Sequence, residues 1–530
     1  MKPKLRTLVD ISDTQAARDG QVASILDCAK WASQVFQRYD LDHVRKIAAA
    51  VATIAEQQAG RYAEWAVEEG GFGVAAHKKI KNEIASRGIL DAYSNEDFVN
   101  PRIDVEKKIV EVPRSAGVVF ALVPSTNPIS TIYFKIILCL LTRNALVLSP
   151  HPTVRNCSID AVKTLASEAE RAGAPAGCIQ VVEQPNLPLV EAFMASPKTD
   201  LVLATGGAAM VRAAYSSSNP AIGVGPGNAP VFVDETANLS RAAERIVDSK
   251  SFDNSILCSN ESVLITLRSV ETKLCGALKQ FGAHLCNADE KAKLQAFLFP
   301  EGRFNTKAVG QYATWIAEQS GFIVAPNTRI LLVSIVGVGP EEVFSREKLC
   351  PVLGFLVVEN KRNAISQARA LVRLSGAGHS CAIHTADPET ALAFANAVEV
   401  YRCVVNAPCS QGAAGFHTNL SPSFTIGTGF FGRSSVGENI TPQHLVHWTR
   451  LAYNKDRSEQ MGDFSRARLK LDGALVPAPN DGAPPSSRLQ HNSDDHVRPT
   501  RASTSDNQRM RDELRQIVLD EIRVALREHK

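Results

Sequence analysis

Gly117-Val118-Val119-Phe120-Ala121-Leu122-Val123 is an unbroken apolar run closed by Pro124. A strand with one wet face alternates apolar and polar residues, whereas a run that is apolar at both parities belongs to a parallel strand covered on both faces. After it come the loop Ser125-Thr126-Asn127, an apolar helical stretch over 129–142 and a second buried strand over 145–148. Strand, helix and strand in that order predict a βαβ unit. The alternation continues with a helix over 153–173, a strand over 179–182, a helix over 187–195 and a strand over 201–204. The pattern is α/β, a doubly wound nucleotide-binding domain, but without the G-x-G-x-x-G turn of ordinary dinucleotide folds.

Upstream, residues 22–36 and 43–67 carry apolar residues at helical spacing (Ile25, Ala29, Ala32, Val35; Ile47, Val51, Ile54, Ala55), with Trp31 and Trp65 read as core. Residues 104–112 mix charged and β-branched side chains, as in a strand with one exposed face. Downstream, a second α/β unit spans about 239–420, with strands over 263–266, 330–333 and 354–358, and 401–406 and 445–452 are expected to return towards the first domain. From 456 to 507, Pro477, Pro479, Pro484, Pro485 and Pro499 among Ser, Asn, Asp and Gly predict a disordered linker. Over 508–530, Met510, Leu514, Ile517, Val518, Ile522, Ala525 and Leu526 share one helical face, interrupted by Glu521. That helix suits a docking tag or packing on its own domain.

At 530 residues the chain needs two or more domains. A 45% hydrophobic, 21% charged composition is that of a soluble globular protein, and a formal charge of +3 implies neither a nucleic-acid nor a membrane partner. The most apolar window, 129–141, is interrupted by Lys135 and falls short of the roughly 20 residues a membrane helix needs. No apolar segment follows Met1 to Arg6, so a secretory signal is not expected and the setting is cytoplasmic. The 11 cysteines lack CxxC spacing, which suggests neither a metal site nor a disulfide framework.

One cysteine stands apart. In Ser251-Phe252-Asp253-Asn254-Ser255-Ile256-Leu257-Cys258-Ser259-Asn260-Glu261-Ser262, Cys258 sits among small polar residues ahead of an apolar run. A thiol attacks as its thiolate, so this polar setting marks a candidate nucleophile. Leu201-Val202-Leu203-Ala204-Thr205-Gly206-Gly207 reads as a strand and glycine turn opening a helix, where backbone N–H groups can meet a phosphate. Gly223-Val224-Gly225-Pro226-Gly227-Asn228-Ala229-Pro230 is a second glycine-rich crossing.

These blocks, with Val123-Pro124-Ser125-Thr126-Asn127-Pro128, Ser149-Pro150-His151-Pro152 and Glu347-Lys348-Leu349-Cys350-Pro351-Val352-Leu353, resemble in their order the aldehyde dehydrogenase superfamily. The resemblance is to its CoA-acylating branch, the microcompartment-associated propionaldehyde and acetaldehyde dehydrogenases, and covers about 23–454. It implies two doubly wound α/β domains plus a small β oligomerisation extension. The expected layout is an NAD-binding domain over 1–234, with the 101–113 strand in the extension, a catalytic cysteine domain over 235–420 and a return segment over 421–455.

The resemblance also implies roles. Cys258 is the nucleophile, Asn127 the oxyanion donor together with the Cys258 N–H, and His379, in Gly376-Ala377-Gly378-His379-Ser380, the acceptor of a CoA thiol proton. Thr126, Ser149, Pro150, His151, Thr205, Gly206, Gly207, Gly225 and Glu347 match cofactor-binding positions, with Glu347 on the nicotinamide ribose, and 424–431 matches a stretch that lines the aldehyde pocket. Hydrolytic members carry a glutamate base at about Val224, and here no carboxylate occurs from Ala221 to Val233. They also carry a lysine at Ser149, which leaves NAD and NADP both open.

The implied reaction joins a short-chain aldehyde, propionaldehyde first, with NAD and coenzyme A to give acyl-CoA and NADH, the CoA-propanoylating type of propanal dehydrogenase used in propanediol degradation. The alternatives are a hydrolytic aldehyde dehydrogenase releasing free acid, and an inactive tail-tethered scaffold. The expected partners are a second copy, as dimer or tetramer, and a shell protein held by 508–530 as an encapsulation peptide, in a microcompartment lumen.

Overall fold

A computed structural model describes residues 14–464 and Leu469. The expected helix over 508–530 and the linker beyond Phe464, Leu469 apart, lie outside the described residues. β1 (Arg102–Asp104) and β2 (Ile109–Ser115) pair antiparallel. β3 (Val118–Leu122), β4 (Ala145–Ser149), β5 (Ile179–Val181), β6 (Leu201–Thr205) and β7 (Ala221–Val224) form an all-parallel sheet in the order β5-β4-β3-β6-β7. β8 (Ala229–Val233), β9 (Glu261–Leu267), β10 (Ala283–Leu285), β11 (Ile330–Ile335), β12 (Val352–Val358), β13 (Gly378–His384) and β14 (Val400–Val405) form a second parallel sheet, ordered β10-β11-β12-β9-β8-β13-β14. β15 (Val446–Ala452) returns to pair with β2.

The run from Val118 to Leu122 is apolar at every position because both of its faces are covered. Val119 and Ala121 join Leu146, Leu148 and Leu203 against the helices that supply Ile47, Val51, Ile132 and Ile136. Val118, Phe120 and Leu122 turn the other way, onto Leu26, Leu189 and Phe193, and the Phe120 and Phe193 rings stack 5.0 Å apart. The second sheet is built alike, with Val263, Ile265 and Leu331 on one face and Leu264, Leu332 and Leu353 on the other. Each such side chain contributes about 1.5–3 kcal/mol by leaving water, so register is set at every strand.

Four expectations need correction. The strand expected over 104–112 is a hairpin, since Lys108 takes a left-handed φ of 55° between β1 and β2. The single helix expected over 43–67 is two, Leu41–Gln57 and Ala59–Gly70. Residues 401–406 do not return towards the first domain: β14 pairs with β13 at the edge of the seven-stranded sheet, while β15 pairs with β2 in a three-stranded sheet with β1. By strand pairing the chain passes between the sheets at 225–228, ahead of the boundary expected at 234, because β8 lies inside the second sheet. Trp31 and Trp65 are half-buried against the first core.

Candidate active site

Loops from both sheets meet at the site, where Asn127 Nδ2 reaches the Ile256 carbonyl at 3.3 Å. Thr126 and Asn127 follow β3, Ser149, Pro150 and His151 end and follow β4, and Thr205, Gly206 and Gly207 end and follow β6, all at the C-terminal edge of the five-stranded sheet. β3 and β6 are spatial neighbours that are not consecutive in the chain, and a doubly wound sheet binds its ligand at such a switch point. Cys258, Glu347 and His379 lie instead at the N-terminal ends of β9, β12 and β13 in the seven-stranded sheet.

Helix Ala208–Tyr215 begins at Gly207 without a side-chain cap, and a Cβ at Gly207 or Gly225 would meet nothing within 4 Å. Uncapped N–H groups beside open space fit a phosphate. Ser149 is buried and its carbonyl accepts the Val123 N–H at 3.0 Å. Half-buried His151 accepts the Thr153 N–H on Nδ1, and burial lowers its pKa, favouring the neutral ring. Thr205 Oγ1 lies 3.4 Å from Thr425 Oγ1.

The nucleophile loop is under backbone strain. Asp253, Asn254 and Ser255 take φ of 48°, 49° and 68°, three successive left-handed residues of which none is glycine. Cys258 follows, half-buried. Burial first, and then the Glu347 carboxylate, push its thiol up to about 12, while Arg402 and the N–H groups of Cys258 and Ser259 favour the thiolate. The sequence reading of an open, polar setting therefore needs correction: the resting thiol holds its proton. The glycine-rich crossing passes directly over the loop, because a Cβ on Gly227 would sit 1.9 Å from the Cys258 carbonyl oxygen and 3.5 Å from the His379 ring. The close approach falls on Gly227 rather than Gly225.

Gly227 also joins the other two candidates. Its N–H donates to Glu347 Oε1 at 3.1 Å, and burial raises that carboxyl to about 7. His379 is fully buried, with Nδ1 3.0 Å from Ser380 Oγ and no partner for Nε2. Burial and then the Arg402 charge drive its pKa down to about 3, so the ring is neutral. Arg402 donates to the carbonyl oxygens of Gly378, His379, Gly427 and Gly437, which clamps the 424–439 segment over β13 and β14. Within that segment Phe424 packs on Phe134, while Phe430 is 83% exposed and so lines no enclosed pocket.

Asn127 stands at the N-cap of helix Pro128–Leu141, where asparagine ordinarily caps. Its side chain makes no capping bond. Nδ2 reaches the Ile256 carbonyl at 3.3 Å and Thr126 Oγ1 at 3.2 Å, and Oδ1 accepts from Lys81 Nζ. The amide thus faces the cysteine loop instead of capping its own helix.

Sequence reasoning missed Gly227, Arg402, Lys78, Lys81 and Asp253. Gly227 lay within a segment already singled out, but which glycine makes the crossing depends on the loop beneath. Arg402 and the lysines carry no local signal, since alone they read as solvated charge. Among the described residues His284, Cys286 and Glu290 bring donor atoms within 4.8 Å of one another, although Glu290 is already engaged by His284 and by the Asn287 N–H in a helix capping box.

Residues 4–294 match the aldehyde dehydrogenase family. The aldehyde-alcohol dehydrogenase of Clostridium acetobutylicum is 37% identical over 81% of this chain, and the chain spans about half of that relative's length, 50%. An acetylating aldehyde dehydrogenase from Geobacillus thermoglucosidasius superimposes with a TM-score of 0.81 at 36% identity, covering 83% of this chain and 98% of that one. The propionaldehyde dehydrogenase of Rhodopseudomonas palustris, solved with bound CoA and an acylated cysteine, gives a TM-score of 0.74 at 28% identity over 82% of this chain and 97% of its own. Half the length matching the family pattern, and a fold shared over 83% of the chain with an acetylating enzyme, place the chain: it belongs to the aldehyde dehydrogenase family, with acylating aldehyde dehydrogenases as its relatives.

Proposed function

We propose that this protein is a CoA-acylating aldehyde dehydrogenase, which oxidises a short aldehyde on Cys258 and hands the acyl group to coenzyme A. The observation that carries the reading is the crossing over Cys258: no residue from Ala221 to Val233 offers a carboxylate to activate water. NAD, bound at the C-terminal edge of the five-stranded sheet, would supply the hydride acceptor; Gly206, Gly207 and the helix they open suit its phosphates and Glu347 its ribose.

In this reading the Cys258 thiol gives up its proton to solvent water as its sulfur adds to the aldehyde carbon. The oxyanion is met by Asn127 Nδ2 and the Cys258 N–H, a contribution that elsewhere is worth about 10²–10³ in rate per donor. When the aldehydic hydrogen leaves with its electron pair, the C=O double bond re-forms and a thioester remains on Cys258. The thiol of coenzyme A then loses its proton, adds to the same carbon, and Cys258 departs as thiolate. The departing Cys258 thiolate, whose thiol rests at about 12, recovers that proton, and the unpartnered Nε2 of His379 relays it. With its proton affinity held low, the His379 ring stays neutral between turnovers.

The finer assignment is a two- to four-carbon aldehyde, propionaldehyde first, handled by a homo-oligomer in a bacterial microcompartment whose shell receives the 508–530 helix. The catalytic assignment is tested by following NADH and acyl-CoA with propionaldehyde, with and without coenzyme A. Steady NADH formation is expected only with coenzyme A, and Cys258→Ala is expected to lose at least about 10³-fold. Release of free acid at an undiminished rate without coenzyme A would instead establish the hydrolytic alternative.

A further inference from the structure

Helix Ala75–Glu83 inverts the usual pattern of an amphipathic helix, because its buried positions are Lys78, Lys81 and Asn82. Lys81 is 1% exposed and Lys78 4%. Both meet Asp253, which is fully buried, through Oδ2. Burial opposes the Asp253 charge, yet the two ammonium groups more than offset it and hold the carboxyl below its ordinary range. Asp253 Oδ1 also accepts the Val74 N–H at 2.6 Å, and its own N–H donates to His77 Nδ1 at 2.9 Å.

Two buried cations on one carboxylate are costly to desolvate, and apolar residues would fill the space at less cost. Both lysines, however, reach the residues of the proposed oxyanion site. Lys78 Nζ donates to the Thr126 carbonyl at 3.0 Å, and Lys81 Nζ donates to Asn127 Oδ1. An ammonium group has three donors and no acceptor, so only the oxygen of the Asn127 amide can face it. The NH₂ must then point the other way, to the loop carrying Ile256 and Cys258.

We infer that Lys81 is a positioning residue for the chemistry at Cys258: held by Asp253, it locks the Asn127 amide in the one orientation that presents its N–H groups to an oxyanion. The inference rests on the oxyanion reading of Asn127. Asp253 ties the two halves together, because the residue that anchors Lys81 also opens the left-handed run leading to the nucleophile.

The test is a double-mutant cycle on the full chain, reading the NADH burst of the acylation step. Asn127→Ala is expected to slow the burst about 10²–10³-fold. Lys81→Met is expected to slow it about 10- to 100-fold, with a smaller change in aldehyde KM, and the double variant to be no slower than Asn127→Ala alone. Where Lys81→Met does not fold, Lys81→Gln, which leaves Lys78 to pair with Asp253, takes its place in the cycle with the same expectation. A burst unchanged in the folded Lys81 variant while Asn127→Ala is slow overturns the role of Lys81, as do losses that multiply in the double variant. A burst unchanged in Asn127→Ala overturns the oxyanion reading itself.

Discussion

At the scale of single residues, the site is a set of titratable groups whose ordinary behaviour has been shifted by burial. Cys258 rests as a thiol at about 12, His379 is neutral, and Glu347 titrates near 7, in the working range. A carboxyl raised from its ordinary range to about 7 is protonated below that pH and charged above it. If its carboxylate receives the cofactor ribose, kcat/KM for NAD should climb as pH rises through about 7, and Glu347→Gln should flatten that limb in initial-rate profiles. The same shift has a stability consequence of fixed sign. Between the ordinary carboxyl range and about 7 the folded protein holds a proton that the unfolded chain has lost, so this residue's contribution falls as pH rises through that window.

Lys135 shows the opposite sign. It is fully buried in helix Pro128–Leu141 and donates to the carbonyl oxygens of Leu122 and Leu203 at 2.6 and 3.0 Å, bracing the ends of β3 and β6 beneath the proposed cofactor site. Burial depresses its pKa to about 7, so from about 7 up to the ordinary lysine range the unfolded chain binds the extra proton. Its contribution to stability should therefore grow over that interval. Denaturant titrations at pH 7 and 9 should show a pH increment in the wild type that is smaller in Lys135→Met.

At the scale of elements, what matters is how closely two loops cross. Gly227 is used because its missing side chain lets the crossing rest on the Cys258 carbonyl. Gly227→Ala would drive the crossing off the cysteine loop by an ångström or more, and misplacement of that size costs about 10²-fold in rate. Single-turnover acylation should fall accordingly, while the strands on either side, β8 and β9, keep their register because their pairing begins only after the crossing. The 424–439 segment is likewise an element positioned from outside itself, through the carbonyls that Arg402 gathers.

At the scale of the whole molecule, the site draws on both parallel sheets. The C-terminal edge of the first offers glycine turns and a helix start, and the N-terminal edge of the second offers the nucleophile, Glu347 and His379. The loop after β3 and the loop before β9 touch where Asn127 Nδ2 reaches the Ile256 carbonyl at 3.3 Å, which supports assigning the first sheet to the cofactor and the second to the thioester. The tail belongs to this scale too. On the proposed docking role, deleting 508–530 should leave turnover unchanged and abolish co-sedimentation with shell protein, whereas loss of turnover would overturn that role.

The sequence by itself determined the parallel strands, because residues apolar at both parities have no stable place except between two covered faces. It also singled out Cys258, whose small polar neighbours break such a pattern visibly along the chain, whereas Asn127, Glu347 and His379 were marked only by the resemblance of their segments to the family. Their arrangement was another matter. That Lys81 and Asp253 are buried beside Asn127, that Gly227 rather than Gly225 makes the crossing, and that Cys258 rests protonated were decided by tertiary structure alone. Desolvation and hydrogen-bond geometry depend on neighbours far away in sequence, as with Lys81 and Asp253, 172 positions apart, and no local pattern records them.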